Sequence, residues 1–311
     1  MTTSAGGGAA HSAPPPEPVR RPNRREGLEL FSSRVPFWVK LAAVWAAILG
    51  SLALLFAAAG FDTEWMREHA RFIAGGLMWT VIIAVSAILL ACVLALLGAL
   101  GRLSRNAIAV GLTSFYTSFF RGTPLIVQLF LIYLALPQIG IGLGDPWADW
   151  LTLNVFTAGI IALGLNYGAY MTEIFRAGIQ SVGHGQSEAA EALGMKYAQK
   201  MRRIVLPQAT RVIIPPTGNE FIAMLKDTAL VSFLGASVDQ MEIFRRAQLV
   251  GRADFRNLEA LIIAALMYWG LTAIFQYFQL RLERRLSKGY VRGTAGVAVA
   301  GERRAPRSSA P

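Results

Sequence analysis

Long uncharged apolar runs, separated by short polar and basic segments, organise this chain. Leu41–Phe61 holds 21 residues without a charge, Phe72–Gly101 holds 30, Leu151–Thr172 holds 22 and Ala260–Leu280 holds 21. Asn106–Phe120 and Gly122–Gly144 are also uncharged, with only Arg121 between them. A weaker run, Phe221–Val238, is interrupted by Lys226 and Asp227. Crossing the hydrocarbon takes about 20 helical residues, and a helix satisfies its own backbone there. Counting Asn106 to about Pro137 as one long, tilted or broken span gives six crossings. Splitting it at Arg121-Gly122-Thr123-Pro124 gives seven. The predicted fold is an all-α integral membrane protein, a polytopic helical bundle of about six transmembrane helices.

Charge decides between the two counts. With six spans and the N-terminus inside, the inner segments carry 22 Lys and Arg and the outer segments six, with Arg121 and Lys226 inside spans. That bias fits the positive-inside rule. Seven spans would put the basic Arg176–Arg211 loop and the basic C-terminus on opposite sides. The reading is a multi-pass membrane protein with both termini cytoplasmic. The net charge of +11 then needs no nucleic-acid partner. Composition agrees: 54% of the 311 residues are hydrophobic and 16% charged, against about a quarter charged in soluble domains. The apolar fraction is too high for disorder. A single cysteine, Cys92, excludes an intramolecular disulfide framework and a multi-Cys metal site, and the three histidines are too sparse for a metal cluster. Residues 1–40 read as a basic disordered cytoplasmic tail with Pro-rich and Arg-rich stretches, not a secretory signal. Residues 41–71 read as an N-terminal span with a short external loop, 72–285 as the transmembrane domain with a cytoplasmic loop at about 176–211, and 286–311 as a second basic tail.

Ionisable groups inside a membrane cost roughly 2.5–3.5 kcal/mol on insertion scales and should face protein, water or a partner charge. The candidates are Arg121, Glu173, Glu220, Lys226, Asp227 and Glu259. Glu173 and Glu259 lie near span ends, where interfacial snorkelling is an alternative to function. Arg121 precedes Gly122-Thr123-Pro124, where the helix is weak, and reads either as a structural contact or as part of a cavity wall. Lys226 and Asp227 are adjacent, so they point in different directions. Asn166, Tyr167 and Tyr170 on the fourth span form part of a polar inner face or an interhelical hydrogen-bonding face.

The large cytoplasmic loop predicts two short helices joined at a glycine. Gln186–Leu193 has strong helix formers, with Glu188 in the first turn, and Gly194 stops that helix or lets the chain turn. Met195 to Leu206 sets apolar Met201, Ile204 and Val205 against Lys200, Arg202 and Arg203, and Pro207 follows to end the element. Such a knob docks into another protein's cleft or lies on the membrane surface.

The spacing Glu188-Ala189-Ala190, Gly194 and Ile204-x-Leu206-Pro207 resembles the "EAA" loop of ABC-importer permeases. Further motifs are similar to the histidine/glutamine/glutamate-type permeases for polar amino acids. These are Phe120-Arg121-Gly122-Thr123-Pro124 continuing through Gln128 to Phe130, Ala169–Arg176, Gly178–Val182, Asn219-Glu220 and Leu225–Leu230. The similarity runs from about Phe72 to Arg285, leaving Leu41–Phe61 and both tails outside the usual five-helix core. The resemblance implies the membrane subunit of an ATP-driven importer of a polar or charged amino acid. Its partners would be a second permease as homodimer or heterodimer, ABC ATPase subunits that bind ATP and Mg, an extracytoplasmic amino-acid-binding protein, and membrane lipid. It assigns Glu188, Ala189, Ala190, Gly194, Ile204, Leu206 and Pro207 to the ATPase-coupling surface. Arg121, Asn166, Tyr170, Glu173, Asn219, Glu220 and Lys226 are candidates for the translocation pathway. The chain has no phosphate loop of the G-x-x-x-x-G-K-S/T type, so ATP hydrolysis belongs to a partner and this chain is not itself an enzyme. The alternative is an ion-coupled secondary amino-acid transporter, which would be expected to show two matching halves with broken helices. No internal repeat of that kind is evident.

Overall fold

The computed structural model describes residues 36–235 and 240–286; the two predicted tails, apart from Pro36–Lys40 and Leu286, and the end of the Phe221–Val238 run lie outside them. Helix α1, Phe37–Ala59, is apolar apart from Lys40 and Ser51 and ends on Gly60 in the left-handed conformation (φ 62°). It belongs to a unit ending at Phe61, and the remaining helices form a second unit from Asp62.

The second unit begins with an amphipathic helix, α2 (Thr63–Ala74), capped by the Asp62 carboxylate on the Trp65 amide. The long α3 follows (Gly76–Arg102), then α4 (Ala107–Gly122), α5 (Leu125–Phe130), a π-turn at Leu131–Ala135, and α6 (Leu136–Leu143). Short α7 (Trp147–Leu151) leads into α8 (Val155–Gln180). Next come α9 (His184–Ala192), α10 (Tyr197–Lys200), a second π-turn at Met201–Val205 and α11 (Leu206–Asp227). A 3₁₀ segment (Thr228–Leu234), α12 (Ile243–Ala253) and α13 (Asn257–Leu286) complete the described chain. Five helical stretches among the described residues are long and apolar enough to cross a membrane: 37–54, 63–102, 125–143, 155–180 and 257–286. The expected Asn106–Pro137 span is broken, with Thr123 extended between α4 and α5. The expected Phe221–Val238 span is the C-terminal end of α11 followed, as far as the described residues reach, by a 3₁₀ turn.

Packing centres on α3 against α8. Ala84, Ala87, Ala91 and Ala95 recur at helical spacing on one face of α3 and are fully buried, as are Ala158, Ala162, Leu163 and Met171 of α8. The two backbones approach so closely that a Cβ built on Gly98 would lie 2.4 Å from the Thr172 hydroxyl oxygen. One on Gly168 would meet the Tyr116 hydroxyl at 2.7 Å, and that hydroxyl donates to the Leu165 carbonyl (2.7 Å), tying α4 to α8. In lipid, where the hydrophobic effect does not drive helices together, small residues permit the van der Waals contact that does.

A second cluster joins α2, α12 and α13 through Ile73, Ile243, Ala247, Ala260 and Ile263. Its polar anchor is Glu242, 2% exposed, which caps α12 by accepting from the Phe244 and Arg245 amides. It also accepts from the hydroxyls of Ser232 and Tyr268. The sequence reading did not single out Glu242; an acidic residue directly before the amphipathic run 243–253 is the N-cap signal that could have found it. At the other end of α12, Trp65 Nε1 donates to Asp254 (2.7 Å) and Arg256 pairs with Asp62 (3.3 Å).

Both π-turns precede a Leu-Pro pair, Leu136-Pro137 and Leu206-Pro207. Proline lacks the amide hydrogen and its ring collides with the carbonyl four residues back. A wider π-turn accommodates that, and Leu206 N bonds to Met201 O, five residues back. Pro207 therefore does not end the cytoplasmic element, as the sequence pattern suggested; the helix passes through it.

The Gly98 contact gives the first prediction. Gly98→Val forces the Thr172 side chain or the helix apart, an overpacking cost of about 1–3 kcal/mol. A lowered unfolding temperature of the purified, detergent-solubilised protein is the expected result, and an unchanged one would contradict the seam.

Candidate translocation cavity and coupling element

A cavity of about 390 Å³ lies where the α4–α5 break meets α8 and α11. Thr123-Pro124 forms one wall, Asn166, Tyr167 and Tyr170 of α8 a second, and Glu220 and Asp227 of α11 the third. The wall is built from a break that proline imposes. Pro124 biases Thr123 away from helical dihedrals, and Thr123 is indeed extended (φ −116°, ψ 146°). The end of α4 therefore has carbonyls without helical partners, and side chains meet them. The Thr123 hydroxyl donates to Phe119 O (2.8 Å). Gln128 Nε2 donates to Phe120 O (2.9 Å), Thr123 O (3.0 Å) and Thr123 Oγ1 (2.7 Å). Asn166 Nδ2 donates to Phe120 O (3.1 Å) and to Gln128 Oε1 (3.0 Å). Across the cavity, the Tyr167 hydroxyl donates to Asp227 Oδ2 (2.8 Å).

Of the seven pathway candidates, Asn166, Tyr170 and Glu220 line this cavity. Arg121 sits beside it, its guanidinium 5.4 Å from the centre of the Tyr170 ring. Glu173 is engaged elsewhere, accepting from Arg176 Nε (2.7 Å) and facing Arg102 (3.5 Å), which ties the ends of α3 and α8 together. Asn219 accepts from Gln279 Nε2 (2.9 Å), joining α11 to α13. Lys226 is exposed and turns away from its neighbour Asp227, as adjacent helical residues must. Asp227 and Tyr167 line the cavity but stand outside the seven. The signal for them was present, an aspartate inside a span and a polar tyrosine beside Asn166.

The cytoplasmic element has the expected turn. Gly194 takes φ +73°, Gly194 N donates to Glu191 O (2.9 Å) and Met195 N to Ala190 O (3.1 Å). These two bonds are a Schellman closure of α9. Nothing lies within 4 Å of a Cβ built there, so the constraint is the left-handed backbone and not space. Glu188 and Ala189 are exposed, whereas Ala190 is buried (1%). Leu193 is 81% exposed and Tyr197 61%, flanking the glycine with apolar surface. Ile204 and Leu206 are half-buried and Pro207 is exposed. Lys200 Nζ bonds Glu191 Oε1 (2.5 Å), bracing α10 against α9 and holding the Glu191 carboxyl below the usual carboxylate range. Beneath the turn, Met201, Val205, Ala209 and Ile213 pack on Ala99 at the end of α3 and Ile179 at the end of α8. The element thus rests directly on the helices that frame the cavity.

Residues 87–288 match the family described as binding-protein-dependent transport system inner membrane component. The chain is 39% identical over 233 residues to the probable amino-acid ABC transporter permease protein PatM of Vibrio harveyi, covering 75% of this chain and all of that one. It is 36% identical over 295 residues to the arginine transport system permease protein ArgU of Corynebacterium glutamicum, covering 92% and 88%. Among solved structures, the crystal structure of an amino acid ABC transporter with histidines aligns with TM-score 0.63 and 37% identity, over 72% of this chain and 99% of that one. An inward-facing conformation of the MetNI methionine ABC transporter, 16% identical, shares the fold (TM-score 0.53, 73% of this chain and 99% of that one). Motifs, fold and relatives converge, and the chain belongs to the binding-protein-dependent transport system inner membrane component family, among its amino-acid ABC transporter permeases.

Proposed function

We propose that this chain is the membrane-spanning permease subunit of an ABC importer, and that its cargo is an amino acid with a positively charged side chain. The observation that carries the cargo assignment is the cavity wall, which has two carboxylates, Glu220 and Asp227, and no lysine, arginine or histidine among its described lining residues; Arg121, behind the Tyr170 ring, offsets one of the two charges and leaves the site acidic. At a partly dehydrated site such an imbalance attracts a cation and repels an anion. The arginine transport permease ArgU among the relatives supports the same reading.

In this reading the motor is a separate ATPase that holds ATP and Mg and docks on the knob around Gly194. Exposed Glu188, Ala189, Leu193 and Tyr197 offer a polar contact beside small and apolar ones. An extracytoplasmic binding protein delivers the amino acid, and a second permease subunit completes the pathway. The subunit sits in the bacterial inner membrane with both termini cytoplasmic. ATP and the loaded binding protein act as ligands that shift the inward- and outward-open populations, each only by its differential affinity for the two states. The packing of Met201, Val205 and Ala209 on the ends of α3 and α8 gives the coupling surface a direct hold on the cavity frame.

The test is ATP-dependent uptake by the complex reconstituted in vesicles with its ATPase and binding protein. Arginine or lysine is expected to enter and glutamate not; the reverse preference would overturn the cargo assignment, and uptake without nucleotide would overturn the importer. Asp227→Asn or Glu220→Gln removes one carboxylate. A hydrogen bond to a charged group contributes about 1.5–3 kcal/mol, so the KM for arginine is expected to rise about tenfold to hundredfold. Gly194→Asp places a side chain and a charge on the docking surface at a left-handed position that itself costs about 1–2 kcal/mol for an L-residue. Membrane insertion should persist while ATPase co-purification and uptake are lost; normal co-purification and uptake would remove Gly194 from the coupling surface.

A further inference from the structure

The helix break holds a chain of side-chain hydrogen bonds whose direction is fixed at every link. The Thr123 hydroxyl spends its hydrogen on Phe119 O, so towards Gln128 it can only accept. Phe120 O and Thr123 O are carbonyls and can only accept. The Gln128 amide therefore turns its NH₂ to all three, and its Oε1 faces Asn166. Asn166 must answer with its own NH₂, whose second hydrogen goes to Phe120 O. Every polar atom of the pair is then engaged except one, Asn166 Oδ1, on a side chain that lines the cavity. Gln128 is 1% exposed and is not part of the cavity wall.

We infer that Gln128 is a specificity-determining positioning residue: by fixing which end of the Asn166 amide faces the cavity, it adds a third acceptor beside Glu220 and Asp227 for a cationic side chain. An asparagine amide is nearly symmetric in shape but opposite in polarity at its two ends. Turned the other way, Asn166 would present a donor, which suits a carbonyl or carboxylate and opposes an ammonium or guanidinium. The two outcomes fill the same space and differ only in sign. Of the three hydroxyls on the wall, Thr123 has spent its hydrogen and Tyr167 donates to Asp227, while the Tyr170 hydroxyl can rotate to accept as well as donate. The glutamine thus acts on the cargo without touching it, and the inference rests on the cationic cargo proposed above.

The experiment compares arginine with citrulline, its neutral isostere with a carbonyl in place of one guanidinium nitrogen, as cargo for the reconstituted importer. Wild type is expected to prefer arginine. Gln128→Met keeps the length of the side chain but removes the acceptor that Asn166 meets, leaving the Asn166 NH₂ held by Phe120 O alone, so the amide turns more readily. The ratio of the two KM values is expected to fall about tenfold, the size of one lost hydrogen bond to a charged group, with kcat little changed. Gln128→Ala, which leaves room for water to hydrate the freed carbonyls, is the second variant should Gln128→Met not assemble, and carries the same expectation. Asn166→Asp presents an oxygen whichever way it turns, so in an Asn166→Asp background the Gln128 substitutions should no longer change the ratio. A ratio unchanged in the Gln128 variants, or one that falls equally with Asp at 166, would reduce Gln128 to a packing residue. A wild type indifferent between arginine and citrulline would instead fail at the earlier step, overturning the cationic cargo and this inference with it.

Discussion

Two apolar helices dissolved in hydrocarbon have no hydrophobic reason to meet, because the lipid tails are as apolar as their side chains. The contact of α3 with α8 must therefore rest on the closeness of the approach, and the sequence provides it with alanine at 84, 87, 91 and 95 on one side and Ala158, Ala162 and Gly168 on the other. Dispersion gains from single atom pairs are about 0.1–0.2 kcal/mol and fall steeply with separation, so a seam of small residues repays the absence of bulk with proximity. Everything functional hangs from this pair. Asn166, Tyr167 and Tyr170 reach the cavity from α8, the Glu173–Arg102 pair closes the far ends, and Ala99 and Ile179 receive the cytoplasmic element.

Against that regular frame, the departures from helix are few and each has an identifiable cause. Pro124 breaks the chain after α4, and the amides of Gln128 and Asn166 cover the carbonyls it strands. Pro137 and Pro207 are absorbed by π-turns instead, so the chain runs on. The same residue type thus yields a cavity wall in one place and an uninterrupted helix in two others. The difference lies in what precedes it: an extended Thr123 capped by side chains, or a widened π-turn.

Much of this was legible beforehand. The spans of α3, α8 and α13 follow from uninterrupted apolar runs, and Gly194 from its place between two helical patterns. The EAA spacing located the knob. Hydropathy, however, averages over a helix and cannot say which face a residue occupies. Glu173, Asn219 and Glu220 were therefore equivalent in the sequence, and only the tertiary packing separates an ion pair from an interhelical bond and from a cavity wall. Pro207 looked like a terminator because local propensity disfavours proline within a helix, and the five-residue hydrogen bond that rescues it leaves no signature in composition. The run at Phe221–Val238 misled for the opposite reason: its apolar content is real, but it is distributed over a helix end and a 3₁₀ turn.

From Tyr197 to Asp227 the helix is continuous, through the π-turn and past Pro207. At about 1.5 Å per residue, some 45 Å of it joins the docking knob to the paired carboxylates with no loop in between. It is braced near its lower third on α3 and α8, so under the proposed coupling it would act as a seesaw rather than a tether, with one end rising as the other is depressed. Pro215 and Pro216, lacking amide hydrogens, leave two rungs out of the rod above that fulcrum. How much of such a stroke arrived at the acidic end would then depend on the stiffness of one double-proline turn.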